Sequence, residues 1–314
     1  MKAVICTKYG SPEVLQLKEV EKPIPKRNEV LIKICATTVT SSDCFVRNIY
    51  TLPRIFRLPA RIALGFLKPR KSILGMVLSG EVEAAGQDVT KFIKGDEVFA
   101  YTGMKFGAYA EYTCLPVNGK IGPKEVLIAL KPTNLTCEEA IAIPYGGTLA
   151  LHFLTRIGKI KEGQNVLIYG ASGAVGTSAV QLAKHFGADV TGVCSTSNIE
   201  LVKSLGANNI IDYTKNDEVN FKVKYDIVFD AVGKRKTSKL KEQCKKALTP
   251  NGKYISVDSG RPQLLIEDLI LLKKLAEKKI IIPVIDKRYP IEEIVESHKY
   301  ADKGHKKGNI VITI

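Results

Sequence analysis

Val166-Leu167-Ile168-Tyr169-Gly170-Ala171-Ser172-Gly173-Ala174-Val175-Gly176 is an apolar run that breaks into a glycine-rich turn and then into a helical pattern. It reads as a strand, a phosphate-binding turn and a helix. A dinucleotide pyrophosphate needs a turn whose backbone can approach it without a Cβ in the way. It also needs a helix whose free N–H groups and positive dipole end face the phosphates. Gly173 and Gly176 fill the second and third positions of the usual fingerprint, while Ala171, preceded by Gly170, stands at the first. A helical pattern from about Ser178 to Phe186 and a second apolar run, Asp189–Cys194, complete a βαβ unit around the turn.

The chain has 314 residues, enough for about two domains with cores of their own. Outward from the turn, the runs Asn165–Tyr169, Asp189–Cys194, Asn209–Asp212, Tyr225–Ala231 and Lys253–Val257 alternate with helical or loop segments. A doubly wound parallel sheet has this alternation. Before it, the short alternating runs Ala3–Lys8, Val14–Val20, Val30–Ala36, Val77–Ala84, Glu97–Tyr101 and Ala108–Leu115 predict a compact, mostly antiparallel β domain. From Thr136 the period turns helical and runs through Leu154 with an interruption at Pro144. After it come a long helix Glu267–Lys278, a strand Ile281–Ile285, a helix Ile291–Lys303 and a last strand Asn309–Ile314. The expected domains are 1–118, 119–258 and a C-terminal segment 259–314 that returns to the first.

Between Ile49 and Lys71 a bulky apolar stretch carries Arg54, Arg57, Arg61, Lys68, Arg70 and Lys71, no acid, and prolines at 53, 59 and 69. It reads as an inserted lid or a short helical excursion, the three prolines preventing one continuous amphipathic helix.

Seven scattered cysteines, odd in number and never in a CxxC pair, argue against a disulfide framework and a clustered metal site. They point to a reducing, cytoplasmic setting. No stretch offers about 18 uninterrupted apolar residues, so no stable membrane insertion is expected. The net charge of +15 is spread along the chain, which suits a solvated surface and attraction of anionic ligands, not a nucleic-acid stripe.

Choice of dinucleotide is set about 20 residues beyond the turn, at the end of the second strand. Cys194-Ser195-Thr196-Ser197-Asn198 stands there without Asp or Glu. A carboxylate would bind the ribose 2′-hydroxyl and repel a 2′-phosphate, whereas small hydroxyls can donate to that phosphate, so NADP(H) is expected. Ser195 and Thr196 can also cap the helix that begins near Asn198.

Six motifs in one order, Met1–Val4, Gly75–Gly86, Gly95–Val98, Gly107–Tyr112, Gly146–Ala150 and Gly170–Gly176, resemble the zinc-independent quinone oxidoreductase and enone reductase branch of the medium-chain dehydrogenase/reductase (MDR) superfamily. The resemblance covers essentially the whole chain. It implies a GroES-like β domain joined to a Rossmann domain, with the cofactor in the cleft between them. It also places Thr148 near the nicotinamide and diphosphate, the backbone of Gly170, Ser172, Gly173, Ala174, Val175 and Gly176 on the pyrophosphate, and Val232-Gly233 beside the nicotinamide ribose. Tyr213 matches a tyrosine near the adenosine 2′-phosphate, and Asn198 stands where relatives often carry Lys or Arg. Thr40 and Met76 stand at the positions that hold zinc in the metal-dependent alcohol dehydrogenases, and neither replaces a thiolate or an imidazole. His152, His185, His298 and His305 fall on helical patterns or near the C-terminus, where packing or surface roles are expected, so no metal is expected. Thr40 and Phe45 match pocket positions that are often Asn and Tyr, and Arg47 and Tyr50 are their polar neighbours.

The implied function is NADPH-dependent hydride transfer to a small electrophile, a quinone or an α,β-unsaturated carbonyl. Two alternatives are a non-enzymatic NADPH-binding protein and a peripheral membrane quinone reductase. Only about ten residues, Asp258–Glu267, separate the fifth strand of the parallel sheet from the next helix, too few for another crossover. The sheet is therefore expected to be one strand short, and the protein to be a monomer or a dimer that does not pair edge strands.

Overall fold

The computed structural model describes residues 1–117, 126–215, 221, 223–233 and 238–314. The chain divides into two units, Met1–Pro144 with Ile285–Ile314, and Tyr145–Val284.

The first unit is a β structure. A seven-stranded sheet is built from β3 (Glu29–Thr38), β4 (Val77–Ala85), β5 (Glu97–Tyr101), β6 (Tyr112–Pro116), β7 (Leu127–Leu130), β13 (Ile285–Pro290) and β14 (Asn309–Thr313). Its order is β13-β14-β3-β4-β5-β7, with β6 also paired to β3. A two-stranded ladder joins β1 (Lys2–Cys6) to β2 (Leu15–Glu19). Alternation along β3 sends Val30, Ile32 and Ile34 into a core with Leu78, Val98 and Leu115. Helices α1 (Ser41–Arg47), α2 (Arg54–Leu64), α3 (Cys137–Ala140) and α9 (Ile294–Asp302) complete this unit.

In the second unit, β8 (Asn165–Tyr169), β9 (Asp189–Cys194), β10 (Asn209–Asp212), β11 (Tyr225–Asp230) and β12 (Leu248–Ser256) form a parallel sheet in the order β10-β9-β8-β11-β12. Helices α4 (Pro144–Leu151, its first residue belonging to the first unit), α5 (Ala174–His185), α6 (Ile199–Ser204), α7 (Lys239–Lys246) and α8 (Ile266–Glu277) accompany it. Among the described residues this sheet has five strands and ends at β12. Small residues let α5 lie close to the sheet, and every residue from Ala174 to Ala183 is buried.

Three expectations change. The division of the chain falls at 144 and 284, not at 118 and 258. Residues beyond 118 stay in the first unit because β7 pairs with β5, Val98 opposite Leu130. The helix expected in the returning segment belongs to the second unit, where Asp268 accepts from Arg156 at 2.8 Å. The strand expected at Ile281–Ile285 is instead Ile285–Pro290, because Pro283 ends the apolar run and pairing with β14 begins at Ile285. The proline-rich segment holds the short helix expected there, α2, with Pro53 at its N-cap and Pro59 inside it. Pro59 and Ile55 are both exposed, so the carbonyl of Ile55 that loses its helical donor can turn to water.

Candidate functional site

The glycine-rich turn lies at the C-terminal end of β8, the central strand of its sheet. Gly170 holds φ at +81°, a conformation that favours glycine, and a Cβ there would lie 2.4 Å from Val232. A Cβ on Gly176 would lie 2.1 Å from the Gly170 carbonyl oxygen, so this glycine lets α5 close onto the turn. At Gly173 the nearest atom to such a Cβ is the Gly170 oxygen at 3.6 Å. Gly173 is the N-cap of α5, and no side chain caps this end of the helix. The first turn therefore keeps N–H donors and the positive dipole end available, with open space above Gly173. Ala174, Val175 and Ser172 complete the turn. Thr148 is buried on α4, which meets α5 backbone to backbone, because a Cβ on Gly146 would fall 2.1 Å from the Ala174 oxygen.

The structure links this turn to the end of β9. Asn198 is buried and its Nδ2 donates to Ser172 Oγ at 3.0 Å, while its Oδ1 is buried without a partner among the described residues. Ser195 Oγ lies 3.2 Å from Ser197 Oγ. Thr196 points elsewhere: its hydroxyl donates to Asp212 Oδ2 at 2.5 Å. Hydrogen bonds from Thr196 and Thr214 hold the Asp212 carboxyl below the usual carboxylate range. Neither Ser195 nor Thr196 caps a helix through its side chain. Tyr213 is exposed, and its backbone N–H donates to the Cys194 oxygen at 3.1 Å.

Val232 and Gly233 follow β11, and both donate backbone N–H groups to Asp230 Oδ1, at 3.1 and 3.0 Å. Asp230 is buried with Lys241, whose Nζ lies 2.9 Å from Oδ2 and donates to the Gly233 oxygen at 2.7 Å. Tyr254 donates to the same carboxylate at 2.8 Å, and burial pushes its phenol well up. This buried pair fixes the backbone of the Val232-Gly233 loop.

The remaining candidates lie in the first unit. Thr40 is the N-cap of α1 in a reciprocal capping box: it accepts from the Asp43 N–H at 3.2 Å, and its own N–H donates to Asp43 Oδ2 at 2.9 Å. Its hydroxyl hydrogen also goes to Oδ2, at 2.6 Å. Phe45 lies half-buried on the same helix. Arg47 is 1% exposed, and its Nη2 holds Asp302 at 2.6 and 2.8 Å. That placement makes Arg47 a tie between the ends of α1 and α9, not a group facing a substrate. Tyr50 is 43% exposed, and its hydroxyl accepts from Arg61 Nη2 at 3.0 Å. A donor on the phenol oxygen leaves the phenol hydrogen free to be given to another group.

Sequence reading passed over Asp43, Tyr109, Asp212, Asp230 and Lys241. Asp43 Oδ1 accepts from the Gly75 N–H at 3.0 Å, and burial pushes its carboxyl up to about 6. Tyr109 donates to the Thr38 oxygen at 3.3 Å. It also meets His298 edge-on, and burial keeps that imidazole well below its ordinary pKa. Asp212 had a visible signal, since it ends the third strand of the parallel sheet directly before Tyr213; the long-range network around Asp43 had none. Met76 is buried, and among the described residues no three His, Cys, Asp or Glu side chains converge as a metal site would need.

Comparison with known proteins places this geometry. Residues 26–129 match the alcohol dehydrogenase GroES-like domain, and residues 174–286 match the zinc-binding dehydrogenase model. The chain is 35% identical over 335 residues to the 2-methylene-furan-3-one reductase of Solanum lycopersicum, covering 99% of this chain and 79% of that one. It belongs to the quinone oxidoreductase and enone reductase branch of the MDR superfamily. A second MDR relative, the NADPH-dependent alkenal/one oxidoreductase of Arabidopsis thaliana chloroplasts, is 31% identical over 99% of this chain and 79% of its own. Among solved MDR structures, the quinone oxidoreductase from Coxiella burnetii aligns with a TM-score of 0.84 and 27% identity, over 100% of this chain and 99% of that one.

Proposed function

We propose that the protein is an NADPH-dependent oxidoreductase that reduces a small electrophile, a quinone or an α,β-unsaturated carbonyl. The observation that carries this reading is the uncapped N-terminus of α5 beneath the open backbone at Gly173. The names of the two plant relatives support both the cofactor and the substrate class.

The residues present suit the dinucleotide. Gly170, Ser172, Gly173, Ala174, Val175 and Gly176 would hold the pyrophosphate by backbone N–H groups. Ser195 and Ser197 would donate to the 2′-phosphate, with Tyr213 beside it and Thr196 held on Asp212. The unpartnered Asn198 Oδ1 would accept from the adenosine ribose, and Thr148, Val232 and Gly233 would line the nicotinamide half. When bound, the nicotinamide supplies a hydride to an acceptor that is already electron-poor. The chain's part is then to orient both reactants, to exclude water and to manage one proton. Tyr50, held by Arg61 so that its own hydrogen is free, is the proton or hydrogen-bond donor to the substrate carbonyl. Thr40 and Phe45 shape the pocket, and Arg47 braces α1 from inside.

We further propose that no metal takes part, because the hydroxyl of Thr40 is spent on its own helix cap and Met76 is buried. Seven cysteines, none of them in a disulfide, support a cytoplasmic setting. No helix among the described residues is long and apolar enough to cross a membrane. The test is NADPH oxidation against a panel holding a quinone, a short 2-alkenal and a saturated ketone, before and after exhaustive chelation. Turnover of the first two, unchanged by chelator, supports the reading; turnover of the ketone alone, or loss on chelation, refutes it.

A further inference from the structure

Helix α2 is built inside out. Its arginines recur at 54, 57 and 61, and its large apolar residues Ile55, Leu58 and Ile62 occupy another face at i, i+3 and i+7. In a helix on a soluble protein the apolar stripe faces the core. Here it is the arginines at 57 and 61 that turn inward. Arg57 donates from Nε to the Leu52 oxygen at 3.0 Å and from Nη2 to the Tyr50 oxygen at 2.8 Å. Arg61 donates to the Tyr50 hydroxyl, and both guanidinium groups lie within 6 Å of the Tyr50 ring centre, at 5.6 and 5.8 Å. The far end is anchored by Tyr9, which donates to the Gly65 oxygen at 2.7 Å.

With its polar side held in this way, α2 buries none of its residues. Ile55, Phe56, Leu58 and Ile62, continued by Phe66 and Leu67 in the following turn, are each between 57% and 81% exposed. So many large apolar groups in about one dozen residues are costly in water and mark a surface that meets another phase or molecule. The charges around them decide which. Arg54, Lys68, Arg70 and Lys71 are exposed at the rim, and residues 49–71 contain no acid. A second copy would bring the same cations against these, on a chain that already carries a net charge of +15. An anionic lipid surface meets both halves of the pattern.

We propose that α2 and the turn after it dock on an anionic phospholipid bilayer, with the apolar side chains below the headgroups and Arg54, Lys68, Arg70 and Lys71 on the phosphates. The association is peripheral. It goes beyond the proposed reduction and is read out without turnover.

The chain contains no tryptophan, so Phe56→Trp introduces the only indole. With vesicles of phosphatidylcholine containing roughly a third phosphatidylglycerol, its emission should shift to the blue and be quenched by brominated acyl chains. Phosphatidylcholine vesicles alone should do neither, and a control indole at the exposed Ile24 should remain unquenched. The variant Ile55→Ser/Leu58→Ser/Ile62→Ser keeps every charge and changes exposed positions only. Its co-sedimentation with the anionic vesicles should fall at least about ten-fold. Any of three results overturns the proposal. An indole at 56 could remain unquenched; the serine variant could sediment like the parent; or a dimer could hide the indole before lipid is added.

Discussion

Thr196 gives its hydroxyl hydrogen to Asp212, with Oγ1 2.5 Å from Oδ2, so one of the three hydroxyls in the Ser195–Asn198 segment is already committed to a carboxylate. Asp212 is ionised, held below its ordinary range by the two threonine hydroxyls. It places a negative charge where the bound cofactor would carry another. Asp212→Asn removes that charge and leaves Thr196 only a weaker, neutral amide acceptor, and NADPH should then bind several-fold tighter, roughly 1 kcal/mol, with little change for NADH. Ser195→Asp should shift preference the other way. Fluorescence titration of both cofactors against both variants decides the matter; equal responses of NADPH and NADH would exclude these residues from the choice.

Gly173 and Gly176 should fail in different ways. A methyl group at 176 meets the Gly170 carbonyl at 2.1 Å, so Gly176→Ala should destabilise the second unit by about 2 kcal/mol or more. A methyl group at 173 meets nothing closer than 3.6 Å, and Gly173→Ala should fold with a loss of about 1 kcal/mol at most, the cost of an alanine N-cap. Its Cβ would stand in the way of the pyrophosphate, and NADPH affinity should drop by at least about ten-fold. Denaturant unfolding and cofactor titration of each variant separate the two effects.

Tyr50→Phe keeps the ring over which Arg57 and Arg61 lie and removes the hydroxyl that Arg61 orients. If this phenol serves the substrate carbonyl, kcat should fall by roughly 10²-fold while NADPH affinity stays put. Single-turnover NADPH oxidation makes the comparison, and an unchanged rate would remove Tyr50 from the chemistry.

Asp43 and His298 should give the first unit opposite pH slopes. Burial raises the Asp43 carboxyl to about 6, so its favourable contribution is complete below the unfolded value near 4 and is lost as pH rises through 6. His298 is held neutral by burial and by the charge of Arg47, and its contribution is lost as pH falls below the ordinary histidine value. Relative to the parent, Asp43→Asn should gain about 3 kcal/mol between pH 4 and 7, whereas His298→Gln should gain as pH falls. Urea unfolding across that range provides the test, and parallel curves for parent and variants would contradict the assignment.

Among the described residues the parallel sheet ends at β12, so the protein should be a monomer in solution, or a dimer through another face. Light scattering gives the mass. A dimer whose parallel sheets join through hydrogen-bonded edge strands would refute this expectation.

The strands β8, β9 and β10 were legible to the residue. Each is a short apolar run closed by a glycine, a small polar residue or a charge; burial along β8 and β9 leaves no competing pattern, and β10, half-buried at the sheet edge, is marked by its closing Asp212. By contrast β7 is four residues, Leu127–Leu130, whose strand character comes only from pairing with β5, a partner about 30 residues away. Ile281–Ile285 looked like a strand because short apolar runs do, but Pro283 interrupts it and leaves the pairing to the more polar Ile285–Pro290. A short helical excursion was legible in the proline-rich segment but its span was not, since Pro53 caps α2 and Pro59 lies inside it, leaving the Ile55 carbonyl to water. At the site, the turn and the Ser195–Asn198 segment were readable because spacing from one strand fixes them. That Thr196 is spent on Asp212 and Arg47 on Asp302 was not, since each depends on a side chain brought in from another element.

The position of β14, between β13 and β3, has a consequence for synthesis on the ribosome. Val311, Ile312 and Thr313 pair with Thr38, Thr37 and Ala36, so this edge at the end of β3 waits for a strand more than 270 residues further on to be translated. The parallel-sheet unit, Tyr145–Val284, is contiguous and can close while the ribosome is still making the tail. The N-terminal strands emerge first and finish last. For that interval the nascent chain carries an open edge, and a ribosome stalled before residue 311 would hold a folded parallel-sheet unit and an aggregation-prone β unit.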